Sequence, residues 1–283
     1  MSLEPETRSN VLCSLLTRAA GALALLSATA LTSFARPSPG VSAGAASQVT
    51  YTVTLTNLNH GQPLAPPILI PHNATFTLFT AGTSSATPGV DTTNCRTGTG
   101  ETFFNNGGGL QYLAELGVPL CLADELTMTS LGNGVDRANI TIADTNGNVS
   151  IISSAVITGA PTTPPPFRTY RFTTTATILT VATMLGITND SFGAVTINLP
   201  SKGDSVDAVA NAWDAGSECN DEQPSHTGPF ASQHPHDCAG EGTVSISNGF
   251  NNVNHPANVG PSGTPGNIDW RNPVFAIHVT ASK

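Results

Sequence analysis

The sequence predicts an all-β protein, an antiparallel β-sandwich carrying one short helix. Three observations point there. Residues 49–56 (VTYTVTLT) alternate Val49, Tyr51, Val53 and Leu55 with four threonines, the period of a half-buried strand. About ten short segments rich in β-branched residues follow, divided by Gly, Pro, Asn and Asp. The chain shows no fixed-period repeat and no alternation of strands with long helices, so neither a solenoid nor a parallel sheet is indicated.

The elements follow in order. After the first strand come Pro63, Pro66, Pro67 and Pro71. Proline fixes φ and has no N–H to donate, so this stretch predicts neither a helix nor a central strand. A strand is predicted at 75–80 (TFTLFT). Residues 82–108, dominated by Gly, Ser, Thr and Asn, read as a long loop containing Cys95. The one helix is predicted at 110–116 (LQYLAEL), with Gly117 and Pro119 as its stop. Residues 125–131 and 139–144 read as extended. Asn146-Gly147 is a hairpin turn signal, with a returning strand at 148–153. PTTPPPF (161–167) is an extended connection. Further strands are predicted at 167–175, 178–185, 194–199, 206–213, 243–248 and 274–280. The polar stretches 214–241 and 249–272 lack periodicity, and loops of that length are usually functional or disulfide-tethered.

Composition narrows the function. Hydrophobic residues make up 39% of the chain, enough for a core, while charged residues are only 10% and the formal net charge is −9. There is no basic stripe, which excludes the usual nucleic-acid footprint. An acidic surface serves solubility and is also compatible with binding cations.

The N-terminus has the layout of an export signal. Arg8 and Arg18 precede the apolar run 19–31 (AAGALALLSATAL), and small residues follow. The run is shorter than the ~20 residues that span a bilayer, although a retained anchor is the alternative. Residues 1–46 are therefore read as signal peptide and linker, and 47–283 as one domain. The predicted location is secreted, extracellular or periplasmic. Cys13 lies in the leader. Cys95, Cys121, Cys219 and Cys238 form an even set, which in an exported chain reads as two disulfides. Proximity favours Cys95–Cys121 and Cys219–Cys238, and three pairings are possible.

The densest chemical cluster is 214–222, with Asp214, Glu218, Asn220, Asp221 and Glu222. Hard cations such as calcium take six to eight oxygen ligands, and this loop offers four carboxylates and an amide. Thr188-Asn189-Asp190-Ser191 is a second oxygen-rich loop at the end of another predicted strand. Both loops also read as ordinary solvated turns. Asp144-Thr-Asn146-Gly-Asn148 lacks the Gly position and the closing Glu of an EF-hand. His226, His234, His236 and Cys238 would suit zinc or copper only with Cys238 reduced. No G-x-S-x-G is present. Gly203-Asp204-Ser205 is a short esterase-like match with His278 as its candidate base.

Several segments together resemble the spondin N-terminal domain family in its microbial form. They are Thr56-Asn57-Leu58 with 61–67 (GQPLAPP) and His72; Leu113-Ala114-Glu115; Thr188-Asn189-Asp190-Ser191-Phe192; Trp213-Asp214-Ala215-Gly216-Ser217-Glu218; His255-Pro256-Ala257-Asn258; and the closing 273–279 (PVFAIHV). The 214–216 and 255–258 pieces are also similar to those of F-spondin and mindin. The resemblance implies a sandwich resembling C2 domains, a bound calcium ion, and matrix adhesion. It places Asp190 and Asp214 as calcium ligands, with Glu218 as a third. The chain departs from the animal pattern in its Cys95 and Cys219–Cys238 loops and lacks thrombospondin repeats.

The functional expectation is a secreted, non-enzymatic, calcium-assisted binding protein. Its partner would be extracellular matrix, a surface protein or a glycan, with no nucleic acid and no membrane span in the mature chain. The alternatives are a carbohydrate-binding module using Trp213 and Trp270, and an esterase-type hydrolase using Ser205.

Overall fold

Alternation in β1 (Val49–Asn57) does what its pattern requires: Tyr51, Val53, Leu55 and Asn57 are buried while the intervening threonines are half-exposed. The structure is a computed structural model of the chain, and it describes residues 47–59, 62–85, 108–128, 133–142, 167–220, 240–247, 249 and 270–283. Within these lie β2 (Ile68–His72), α1 (Gly109–Leu116), α2 (Pro119–Met128), β3 (Thr141–Ile142), β4 (Phe167–Thr174), β5 (Ile178–Met184), β6 (Ser191–Asn198), β7 (Ser205–Asp214), β8 (Ser245–Ile246) and β9 (Phe275–Ala281).

All strand pairs are antiparallel, in the order β3-β2-β5-β6-β7-β9-β1-β4, with β8 added beside β7. The ten residues of β7 belong to both layers. Its first part, from Ser205 to Ala210, pairs with β9, and its last part, from Asn211 to Asp214, pairs with β6. Strands that switch sheets in this way make the corners of a sandwich. At the corner the inward side chains are Ala210 and Ala212, both fully buried, small enough for the two layers to meet. The two ends of the run, β3 and β4, also come together, so the sheet nearly closes. Thr174 Oγ1 donates to Asp136 Oδ2 across that seam.

The two layers differ in what covers them. The β4-β1-β9 layer buries one face, and its inward side chains (Tyr51, Val53, Leu55, Tyr170, Phe172, Ile277, Val279) form a core with Leu69, Leu179 and Val181 of the facing layer. The β2-β5-β6 layer is covered on both faces. Its other side packs Ile68, Ile70, Ala182 and Phe192 against Leu110, Leu113, Leu122 and Leu126 of the two helices. Accordingly β2 is buried at all five positions and β5 at six of seven, the near-continuous apolar run of a doubly covered strand. Each such Leu or Ile contributes about 1.5–3 kcal/mol by burial.

The predicted fold class is observed, with corrections at particular elements. Among the described residues there are two α-helices rather than one. Gly117 does end α1: it sits at φ 64° and its N–H bonds back to Leu113 O. Pro119 then opens α2 instead of only stopping α1, because the first helical position needs no N–H. The extended reading of 125–131 therefore gives way to helix as far as Met128. Residues 75–80 contain no strand, and Phe76 instead fills the apolar space above the helices. In the predicted strand 139–144, Thr141 and Ile142 pair, after a 3₁₀ turn at Arg137–Asn139, and residues 143–144 lie outside the described residues.

Pro71 is the clearest departure, since it lies in β2, a strand with neighbours on both sides. Its carbonyl accepts from Asp136 N at 2.8 Å, so its polar backbone edge points away from β5. The β3 ladder covers only Ile68 and Leu69, and the missing N–H costs no ladder bond. The hairpin signal at 146–147, the strand at 148–153 and the start of 161–167 lie outside the described residues.

Candidate functional site

The end of the sandwich beyond β6 and β7 gathers the predicted acids. Asp190 precedes β6, Asp214 closes β7, and Ser191 pairs directly with Asp214. Antiparallel pairing thus makes two residues 24 positions apart into neighbours at one sheet end. Ala215 N extends the ladder to Asp190 O at 3.0 Å.

The loop after Asp214 is wrapped around Asp190. Asp190 Oδ2 accepts from Ser217 N (2.7 Å), Ser217 Oγ (3.1 Å) and Glu218 N (3.0 Å). Asp190 is fully buried, and its Oδ1 has no hydrogen-bond partner among the described residues. Asp214 Oδ1 accepts from Gly216 N at 2.7 Å, and Oδ2 from Asn220 Nδ2 at 2.7 Å. The same Asn220 amide reaches Glu241 at 2.9 Å. Asn189 Nδ2 donates to Cys219 O at 3.0 Å, and Ser85 Oγ to Ala215 O at 2.7 Å. Gly216 has φ +67°, and a Cβ there would lie 2.3 Å from Thr243 O. Only glycine allows this turn to press against the 240–243 segment.

Glu218 touches Asp190 through its backbone N–H, and its carboxyl is buried. A further acid, Glu115 from the last turn of α1, is 3% exposed, lies against Ser217 and feels the charge of Asp190. Sequence reading noted Glu115 only as part of a motif. The available signal was its spacing of three from Tyr112, which puts both on the buried helix face.

Burial dominates the electrostatics. It pushes the Asp190 carboxyl up to about 7, with the Asp214 charge adding to the rise and the Ser217 and Glu218 hydrogen bonds opposing it. Asp214 is raised by burial and by Glu241, against the Asn220 and Gly216 bonds. Glu115 is raised to about 8, chiefly by burial. Acids held this way favour neutralisation by a proton or a cation.

A second buried network positions the 186–190 loop. Gln62, fully buried, holds both polar atoms of Ile187: its Nε2 donates to Ile187 O at 3.0 Å and its Oε1 accepts from Ile187 N at 2.7 Å. Asn57 Nδ2 donates to Gln62 O at 2.9 Å, and Asn59 bridges Asn57 Oδ1 and Val274 O. Asn57, Asn59 and Gln62 therefore fix the loop that carries Asp190.

Other predicted residues fall elsewhere. Trp270 is 4% exposed and cannot form a platform for a sugar, while Trp213 is half-buried with Phe79 edge-on to it. Ser205 is exposed on β7 opposite Thr280, and His278 turns its ring to Asp207 (2.7 Å) and Thr280 (3.2 Å) instead. Cys121 and Cys219 are each disulfide-bonded. Cys95, Cys238, Asp221, Glu222, His226, His234, His236 and the 255–258 motif lie outside the described residues.

For a cation, the donors here are of the right type, all oxygen, with one buried carboxylate oxygen unmatched. Among the described residues, no three His, Cys, Asp or Glu side chains already form a metal-binding group, because the Asp214 oxygens and Asp190 Oδ2 are turned to N–H and O–H donors. No helix among the described residues is long and apolar enough to cross a membrane. The chain matches no protein-family model and no curated protein.

Proposed function

We propose that this chain is an exported, non-enzymatic binding protein that holds a calcium ion between its 186–190 and 214–220 loops. With those loops ordered, it binds a matrix component, surface protein or glycan. The observation that carries the reading is Asp190 Oδ1, a fully buried carboxylate oxygen without a donor beside a second buried acid whose charge repels it. An unmatched buried polar atom costs about 1–3 kcal/mol, and native folds rarely leave one without reason. Asp190, Asp214 and Glu218 would hold the ion. Bound there, calcium supplies positive charge and oxygen coordination. The chain's own contribution is to fix the acids in advance, through Gln62 on one side and the Gly216 turn on the other.

Thermal unfolding of the full chain with calcium and with a chelator tests this. Calcium at 100 times its Kd would add about 2.7 kcal/mol to stability. The melting temperature should rise with calcium up to the millimolar range of extracellular modules, and Asp190→Asn should abolish the rise. An unchanged melting temperature at millimolar calcium would remove the ion from the account.

A further inference from the structure

The outer face of the β4-β1-β9-β7 layer carries three polar side chains linked in series, outside the acidic loops. His278 and Thr280 are two apart in β9, so both side chains stand on the same face. Asp207 lies directly opposite His278 on β7, and cross-strand partners share a face. His278 Nδ1 meets Asp207 Oδ1 at 2.7 Å, and Nε2 meets Thr280 Oγ1 at 3.2 Å. The chemistry of the groups gives both bonds their direction. A carboxylate only accepts, so in the neutral ring Nδ1 carries the proton and Nε2 keeps its lone pair. Thr280 Oγ1 therefore donates to Nε2. All three residues are exposed, and among the described residues their side-chain hydrogen bonds are to one another.

We propose that Thr280 is a nucleophilic hydroxyl, activated by His278, that takes one acyl group from an activated ester. A hydroxyl within hydrogen-bond reach of a base that a third group orients is the arrangement of an activated nucleophile, and the Nε2 distance lies within the reach of a general base. Thr280 Oγ attacks the ester carbonyl carbon as its proton passes to Nε2. The bond from that carbon to the leaving oxygen or sulfur breaks, and Nε2 gives the proton to the leaving atom. The product is an ester of Thr280. Asp207 touches no substrate and is a positioning residue, holding the ring with Nε2 towards Thr280. The strand setting limits the substrate class. β9 is paired on both sides, so its backbone N–H groups are engaged in ladders and form no oxyanion hole. Thr52 and Ser205, directly opposite Thr280 on the two neighbouring strands, offer only hydroxyls. Loss of a single oxyanion donor costs an enzyme about 10²–10³ in rate. The acyl donors are therefore aryl esters and thioesters, whose leaving groups need least help, and the acyl group stays on the chain. One acyl group per chain without turnover is a modification, and it leaves the non-enzymatic reading intact.

Incubation of the full chain with p-nitrophenyl acetate, in chelator so that calcium plays no part, makes the test, with labelled positions read by peptide mass spectrometry. Thr280 should carry one acetyl group. Thr280→Val should lose it and Thr280→Ser should keep it. His278→Gln should slow the labelling at least about 100-fold, the low end of what a positioned base contributes. Asp207→Asn should slow it as well, because the amide can turn its NH₂ to Nδ1 and leave Nε2 protonated. Asp207→Glu should recover part of the rate, which a merely structural role would not produce. Each position is exposed, and an unchanged melting temperature shows that each variant is folded. No acetyl group on Thr280 of the folded chain, or acetyl groups confined to Lys202, Lys283 or Ser205, overturns the proposal. Labelling of Thr280 at an undiminished rate in His278→Gln overturns it equally.

Discussion

Asn57, Asn59 and Gln62 are buried as deeply as Asp190, Asp214 and Glu115, and the two sets meet at the 186–190 loop. In the amide set, Asn57 and Gln62 match a side-chain donor to a carbonyl and a side-chain oxygen to an N–H, as in the two hydrogen bonds between Gln62 and Ile187, and among the described residues the one unmatched oxygen of the set is the neutral Asn59 Oδ1. In the acid set every side chain brings acceptors, and the donors come from one short stretch, 216–220. Amides carry donor and acceptor together and can balance within themselves. Carboxylates cannot, so their burial leaves a charge that something else must neutralise. The first set reads as scaffold and the second as a site.

Removing the scaffold should have the largest effect. Gln62→Leu strands both polar atoms of Ile187 in the interior, and denaturant unfolding should show a loss of about 2–4 kcal/mol. A loss below about 0.5 kcal/mol would mean that water replaces the amide, and the contrast between the two sets would weaken.

The acids should respond to pH rather than to simple truncation. Glu115 and Asp190 titrate in the fold near 8 and 7, above ordinary values of 4.5 and 3.8. The folded state therefore holds protons that the unfolded chain has released. Their stabilising contribution is present below pH about 4 and is lost as pH rises through about 8. In chelator, the full chain should lose stability steadily as pH rises across that window. Glu115→Gln should flatten the slope. A slope unchanged in this variant would show that the acid contributes nothing to it.

His72 gives a pH effect of opposite sign and smaller size. Its Nδ1–H donates to Asn73 O at 2.7 Å, and its Nε2 accepts from Thr180 Oγ1 at 2.8 Å. Burial holds its pKa below the ordinary 6.5, with the Asn73 carbonyl opposing. The fold keeps the ring neutral, so its contribution is present above 6.5 and is lost as pH falls through the depressed value. His72→Gln should lower stability at pH 7 by about 1 kcal/mol while reducing the further loss between pH 7 and 5. The smallest effect belongs to Asp207→Ala. That side chain is 80% exposed in its pair with His278, and its removal should change stability by no more than about 0.5 kcal/mol. A larger loss would mark the exposed sheet face as more than a solvated surface.

The sequence by itself determined the strands with one wet face. In β1 and β9, inward and outward residues alternate, and the period-two pattern is visible without knowing any neighbour. It also marked Asp190 and Asp214, as oxygen-rich loops at strand ends and through the resemblance that joined them. What it left undecided depends on partners distant in the chain. Whether proline at 71 is tolerated depends on where β3 stops, and whether Pro119 ends one helix or begins another depends on the core that Leu122 and Leu126 enter. Glu115 joins the acids because α1 packs across β5 and β6. Local pattern records which side of a segment is dry. Only the tertiary structure decides which segments share that dryness, and it is there that a carboxylate becomes costly enough to need a partner.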